Sequence, residues 1–112
     1  MKLNHVEQDG VTVLHLEGKL MGGPDATELH ETLHNLIENN VKNIVLDLDG
    51  VDWINSSGLG ILISGLTTVR NNEGNLCLAR PGDKIKNILT ITKLSSVFSS
   101  FDDLDDAVNS LK

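Results

Sequence analysis

Apolar and polar positions set out an alternating series of elements along this chain. "NHVEQDGVTVLHL" reads as two strands joined at Asp9-Gly10, a strong hairpin signal. Gly22-Gly23-Pro24 breaks the chain, and Pro24 suits the first position of a helix with Asp25 and Glu28 in its first turn. Along that helix Ala26, Leu29, Leu33, Leu36, Ile37 and Val41 form one apolar face. "NIVLDL" is nearly continuous and partly β-branched, the pattern of a strand covered on both faces, and Asp47 and Asp49 are expected to end it. "GVDWINSS" reads as a loop leading into a helix near Ser57, where Leu59, Leu62, Ile63, Leu66 and Val69 recur at helical spacing. "NNEGN" closes that helix and "LCLA" is another buried strand. Pro81 is expected to open a third helix, with Ile85, Ile88, Leu89 and Thr92 in step. "SVFSS" suggests a short edge strand, and "DDLDDAVNSL" a closing helix with its acids in the first turn, where the helix dipole favours them.

The resulting order, β-β-α-β-α-β-α-(β)-α, predicts an α/β fold: a small mixed, mainly parallel sheet of four to five strands flanked by about four helices. A length of 112 residues suits one domain, residues 1–112, with one core. With one Trp, two Phe and no Tyr, that core must come from Leu, Ile and Val, and a base-stacking nucleic-acid surface is disfavoured. The net charge of −7 argues against any polyanion partner. The single cysteine, Cys77, excludes an internal disulfide and reads as a small buried hydrophobe. No apolar run approaches the roughly 20 residues of a membrane span. "MKLNHVEQDG" lacks a signal-peptide core, so a cytoplasmic location without membrane insertion is expected, and the Asn55-Ser56-Ser57 glycosylation spelling lapses.

Two stretches could carry chemistry. In "WINSSGLGIL" two hydroxyls and two glycines stand at the mouth of a helix, beyond the carboxyl end of a strand, where open α/β sheets place their sites. The unpaired N–H groups of the first turn favour an anion, so a phosphate on Ser56 or Ser57 would be well placed. The simpler reading is that Asn55 or Ser56 caps the helix while Gly58 and Gly60 allow close packing. Neither the Gly-x-Ser-x-Gly elbow nor a P-loop lysine is present.

The other stretch is "HETLH", a literal His-Glu-x-x-His, with His30 and His34 as potential zinc ligands and Glu31 as base of a metallohydrolase. Each histidine directly follows a core leucine, which rotates the pair about 100° from the buried face towards solvent. No histidine lies beyond His34, so a third ligand would have to be a carboxylate; with the pair turned towards solvent, neither metal nor cofactor is expected. His5 and His15 lie on the hairpin and form no evident cluster.

"IVLDLDGVDWINSSGLGIL" resembles the central motif of the STAS domain family, typified by bacterial anti-sigma factor antagonists. "VTVLHLEGKL" is similar to the family's second strand and its Gly-x-Leu exit, so the resemblance spans nearly the whole chain. It implies a non-enzymatic regulator that binds a serine protein kinase acting as anti-sigma factor. The first hydroxyl of the motif, Ser56, would take the phosphate, with Ser57 the runner-up, and a serine phosphatase would reset the switch. The partner surface would comprise Asp52, Asn55, Ser56, Ser57, Gly58, Leu59 and Gly60, on a monomer or weak dimer. Asn55 stands where phosphorylatable members usually carry an acid, and Met21-Gly22-Gly23 where many carry one after the Gly-x-Leu exit. A scaffold or transporter-accessory protein that is never phosphorylated is the alternative within the same fold.

Overall fold

Asp9 and Gly10 both take left-handed backbone, with φ of 53° and 80°. That two-residue turn matches strand twist and folds β1 (Lys2–Gln8) antiparallel onto β2 (Val11–Leu20), as the Asp-Gly signal predicts. The computed structural model describes all 112 residues. The other strands are β3 (Asn43–Ile54), β4 (Asn75–Ala79) and β5 (Ser100–Phe101), in the sheet order β1-β2-β3-β4-β5 with every pair after the hairpin parallel. The helices are α1 (Pro24–Glu38), α2 (Ser56–Asn71), α3 (Asp83–Ile91) and α4 (Leu104–Leu111), with a 3-10 turn at Leu94–Ser96.

Strand alternation divides the core in two. Leu14, Leu16, Ile44, Leu46, Leu48 and Leu78 pack with Leu29 and Leu33 of α1, Leu62 and Leu66 of α2, and Ile85 and Leu89 of α3. On the opposite face Val11, Val13, Val45, Cys77 and Ala79 meet Ala107 and Val108 of the short α4. Leu29 and Leu33 of α1 and Leu59, Leu62 and Leu66 of α2 are buried as their spacing predicts, Leu36 of α1 is only half-buried, and Cys77 is buried as predicted.

Several boundaries differ from the sequence reading. β3 does not stop at Asp49: a register shift opposite His15 and Glu17 carries the pairing onward, and Gly50, Val51, Trp53 and Ile54 align with Glu17, Gly18, Lys19 and Leu20. The backbone of "GVDW" thus finds strand partners on the long exit of β2, which local sequence could not announce. Val41 lies beyond α1, because the chain turns at Asn39 and Asn40, the latter with φ 63°. Pro81 precedes α3 rather than opening it, and Gly82 is the N-cap. The edge strand is confined to Ser100–Phe101 within "SVFSS" and the following residue.

Candidate functional site

The "INSSGLG" loop is built by the end of β3 and the first turn of α2. Asn55 is the N-cap, and its Oδ1 accepts from the Gly58 amide at 2.7 Å. That bond uses one of the orphan donors of a helix start and fixes where Ser56 and Ser57 sit, at the first two helical positions. Both serines are exposed, and neither hydroxyl takes part in a hydrogen bond within the protein. The Cβ of Ser57 faces Gly22, where an added Cβ would stand 3.0 Å away. The first turn of α2 carries no acid, so the positive end of the helix dipole is not neutralised from within the turn.

The two glycines do different things. A Cβ on Gly58 would run into the Leu20 carbonyl oxygen, with the carbonyl carbon at 2.8 Å and Ile54 Cγ1 at 3.1 Å. Only glycine lets α2 begin against the exit of β2. A Cβ on Gly60 would meet nothing within 4 Å, so Gly60 does not serve the close approach expected of it. Gly58 and Leu59 are buried, while Asp52, Ser56, Ser57 and Gly60 are exposed and Asn55 is half-buried. Asp52 lies on β3 rather than on a loop. Two large apolar side chains flank this surface: Trp53 is 40% exposed, with the Lys84 ammonium 3.8 Å over its ring, and Met21 is 41% exposed.

The structure assembles a cluster that the sequence reading missed. Asp47, only 2% exposed, lies in mid-strand on the α4 side of the sheet. Its Oδ1 accepts from Arg80 Nε at 3.0 Å and from the Asp49 amide at 3.2 Å. Its Oδ2 meets Arg80 Nη2 at 2.5 Å and His15 Nδ1 at 2.6 Å. Burial works to raise the carboxyl's pKa, but the Arg80 fork, the Asp49 amide and His15 outweigh it and hold it below the ordinary carboxylate range. Arg80 is raised in turn by the same bond. It leaves β4 in left-handed backbone, φ 51°, and its amide donates to the Phe101 carbonyl at 2.7 Å. All four polar contacts on Asp47 come from the protein itself, so the cluster ties β2, β3 and β4 together. His15, set aside in the sequence reading, belongs to it. The only local signal was an acid in an otherwise apolar strand.

His30 and His34 are both exposed on α1, as their spacing requires, with ring centroids 4.4 Å apart. No third histidine, cysteine or carboxylate joins them in a group able to hold a metal ion. No helix is long and apolar enough to cross a membrane.

A sequence profile described as the STAS domain matches residues 2–107. BtrV of Bordetella bronchiseptica, named as an anti-sigma factor antagonist, is 26% identical over 98 residues, covering 88% of this chain and 84% of that one. The fold is also that of an anti-sigma factor antagonist from Mycobacterium paratuberculosis, with a TM-score of 0.83 at 23% identity over 98% of this chain and 92% of that one. SpoIIAA of Bacillus, solved in its phosphorylated form, aligns with a TM-score of 0.74 at 13% identity over 99% of this chain and 100% of that one. The chain belongs to the STAS domain family, and its five-stranded mixed sheet with four helices is the fold of these anti-sigma factor antagonists.

Proposed function

We propose that this chain is an anti-sigma factor antagonist whose partner surface is switched by a phosphate on Ser56. Unphosphorylated, it binds a serine protein kinase that acts as anti-sigma factor in the cytoplasm; phosphorylated, it lets go, and a serine phosphatase resets it. The observation that carries this reading is the pair of exposed, unbonded serine hydroxyls at the start of a helix whose first turn holds no acid, in a STAS domain. Gly58 and Leu59, being buried, shape the surface from below, and Asp52, Asn55, Ser56, Ser57 and Gly60 present it.

A phosphate brings about −1.5 to −2 charges at neutral pH. At an exposed helix N-terminus that charge is favourable by roughly 0.3–1 kcal/mol, so the fold survives. A partner packed on the bare, exposed Ser56 must then accept a dianion. Desolvating unpaired charge costs several kcal/mol, and each ~1.4 kcal/mol is tenfold in affinity. Ser56→Asp is therefore expected to release the kinase at unchanged melting temperature, and Ser56→Ala to bind it constitutively. Incubation with kinase and ATP, followed by mass spectrometry, maps the site. Phosphate on Ser57 alone would move the switch by one residue. No phosphate, together with unchanged binding by Ser56→Asp, would leave a scaffold that is never phosphorylated.

A further inference from the structure

Helix α2 is unusual for a surface helix: from Ser56 through Val69 it carries no charged side chain, in a chain that is 22% charged. Its exposed positions include Ser56, Ser57, Gly60, Ser64 and Thr67, all small and neutral. A solvated helix face ordinarily carries charge, whereas depletion of charge marks the centre of an interface. The same small residues leave space beside α1. The two helices touch where a Cβ on Gly65 would stand 3.0 Å from Leu33 Cδ1, but at Gly60 the space is open. The result is a cleft of about 660 Å³ between α1 and α2, within the range of pockets that take a ligand group. Buried Leu29, Leu33 and Ile61 floor it, and exposed His30, Glu31, Ser57 and Ser64 form its rim.

The charge of α1 says what would cover this cleft. The helix carries Asp25, Glu28, Glu31 and Glu38 and no lysine or arginine, on a chain of net charge −7. We propose that the α1–α2 cleft receives an apolar side chain of leucine or phenylalanine size from a basic helix of the partner, with a lysine or arginine of that helix paired to Glu31. This is helix-in-groove recognition, with apolar anchors for affinity and charge for orientation. It rests on the kinase reading above and extends the partner surface beyond the serine loop. Glu31 lies about 10 Å along α1 from its first residue, at ~1.5 Å per residue. That is somewhat more than the Debye length of about 8 Å at physiological salt. The cleft's mouth, where Ser57 faces Gly22, is the end next to the switch, so a phosphate there disrupts packing without neutralising the charge pair at Glu31.

The test uses the whole chain and the serine kinase or anti-sigma factor encoded beside its gene, with affinity read by calorimetry at low and high salt and folding by thermal melts. Ser64→Trp, at an exposed position, fills the cleft, and it is expected to weaken binding about tenfold or more while the melt is unchanged. Glu31→Lys perturbs no packing, and it is expected to weaken binding and flatten its salt dependence. If both bind like wild type while Ser56→Asp still releases the kinase, the cleft is overturned and the switch stands. If Ser56→Asp binds normally while Ser64→Trp and Glu31→Lys do not, the cleft stands and the switch falls. If Ser64→Trp melts early, Glu31→Lys alone decides. A wild-type chain that does not bind the kinase overturns both.

Discussion

Gly58→Ala tests whether the serine loop is positioned by backbone contact rather than by side chains. The added Cβ points at the Leu20 carbonyl, whose carbon would be 2.8 Å away, and at Ile54 Cγ1 at 3.1 Å. The obstacle is strand backbone held in register with β3, so it cannot swing aside as a side chain would. The start of α2 must move instead, against a cap bond of 2.7 Å from the same residue's amide and against Leu59 and Leu62, which are buried. Forced overpacking costs about 1–3 kcal/mol, and a rigid obstacle places this case at the upper end. Alanine returns about 0.5–1 kcal/mol through helix propensity. The expected net loss is about 2 kcal/mol, or roughly 8 °C in melting temperature for a domain near this size. Gly60→Ala is the internal control. It adds the same methyl one turn-fraction further on, into open space, and should raise stability by about 0.5–1 kcal/mol. Thermal and urea unfolding of the three proteins, followed by circular dichroism, decide the matter. A Gly58→Ala protein that melts at or above the wild type would refute the close approach of α2 to β2.

Leu62 is fully buried between α2 and the sheet, and Leu62→Ala should cost on the order of 2–5 kcal/mol by urea titration. Asp47→Asn should cost about 2–3 kcal/mol, below the full value for a buried pair, because the Arg80 side chain is 36% exposed and water can reach it. Since the folded carboxyl of Asp47 titrates below its unfolded value, its contribution is fully present above about pH 3.9 and is lost as pH falls through the lower folded value. In acid unfolding curves Asp47→Asn should therefore approach the wild type below that point; a constant gap down to full acid would argue against the linkage. His30→Ala with His34→Ala should change stability by less than about 0.5 kcal/mol, and elemental analysis should find no stoichiometric zinc in the wild type.

Much of the molecule was legible from local pattern. The Asp9-Gly10 turn, the leucine faces of α1 and α2, the buried character of "NIVLDL" and "LCLA" and the order of elements all follow from periodicity and turn chemistry, which act over a few residues. So does the outward position of His30 and His34, since each is fixed relative to the leucine before it. The cap at Asn55 was one of two choices the sequence left open, and the geometry chose it. What depends on register between distant segments was not legible. β3 runs on to Ile54 because a register shift against β2 offers its backbone partners, and no residue in "GVDW" declares that. Gly58 and Gly60 look alike in sequence, yet only Gly58 faces the Leu20 carbonyl. Asp47 meets His15 and Arg80, 32 and 33 residues away, only once three strands lie side by side. The α1–α2 cleft likewise exists because small residues of one helix happen to face another. Hydrophobic period is a property of one segment, whereas register and close approach are properties of pairs, and pairs are decided only when the sheet is assembled.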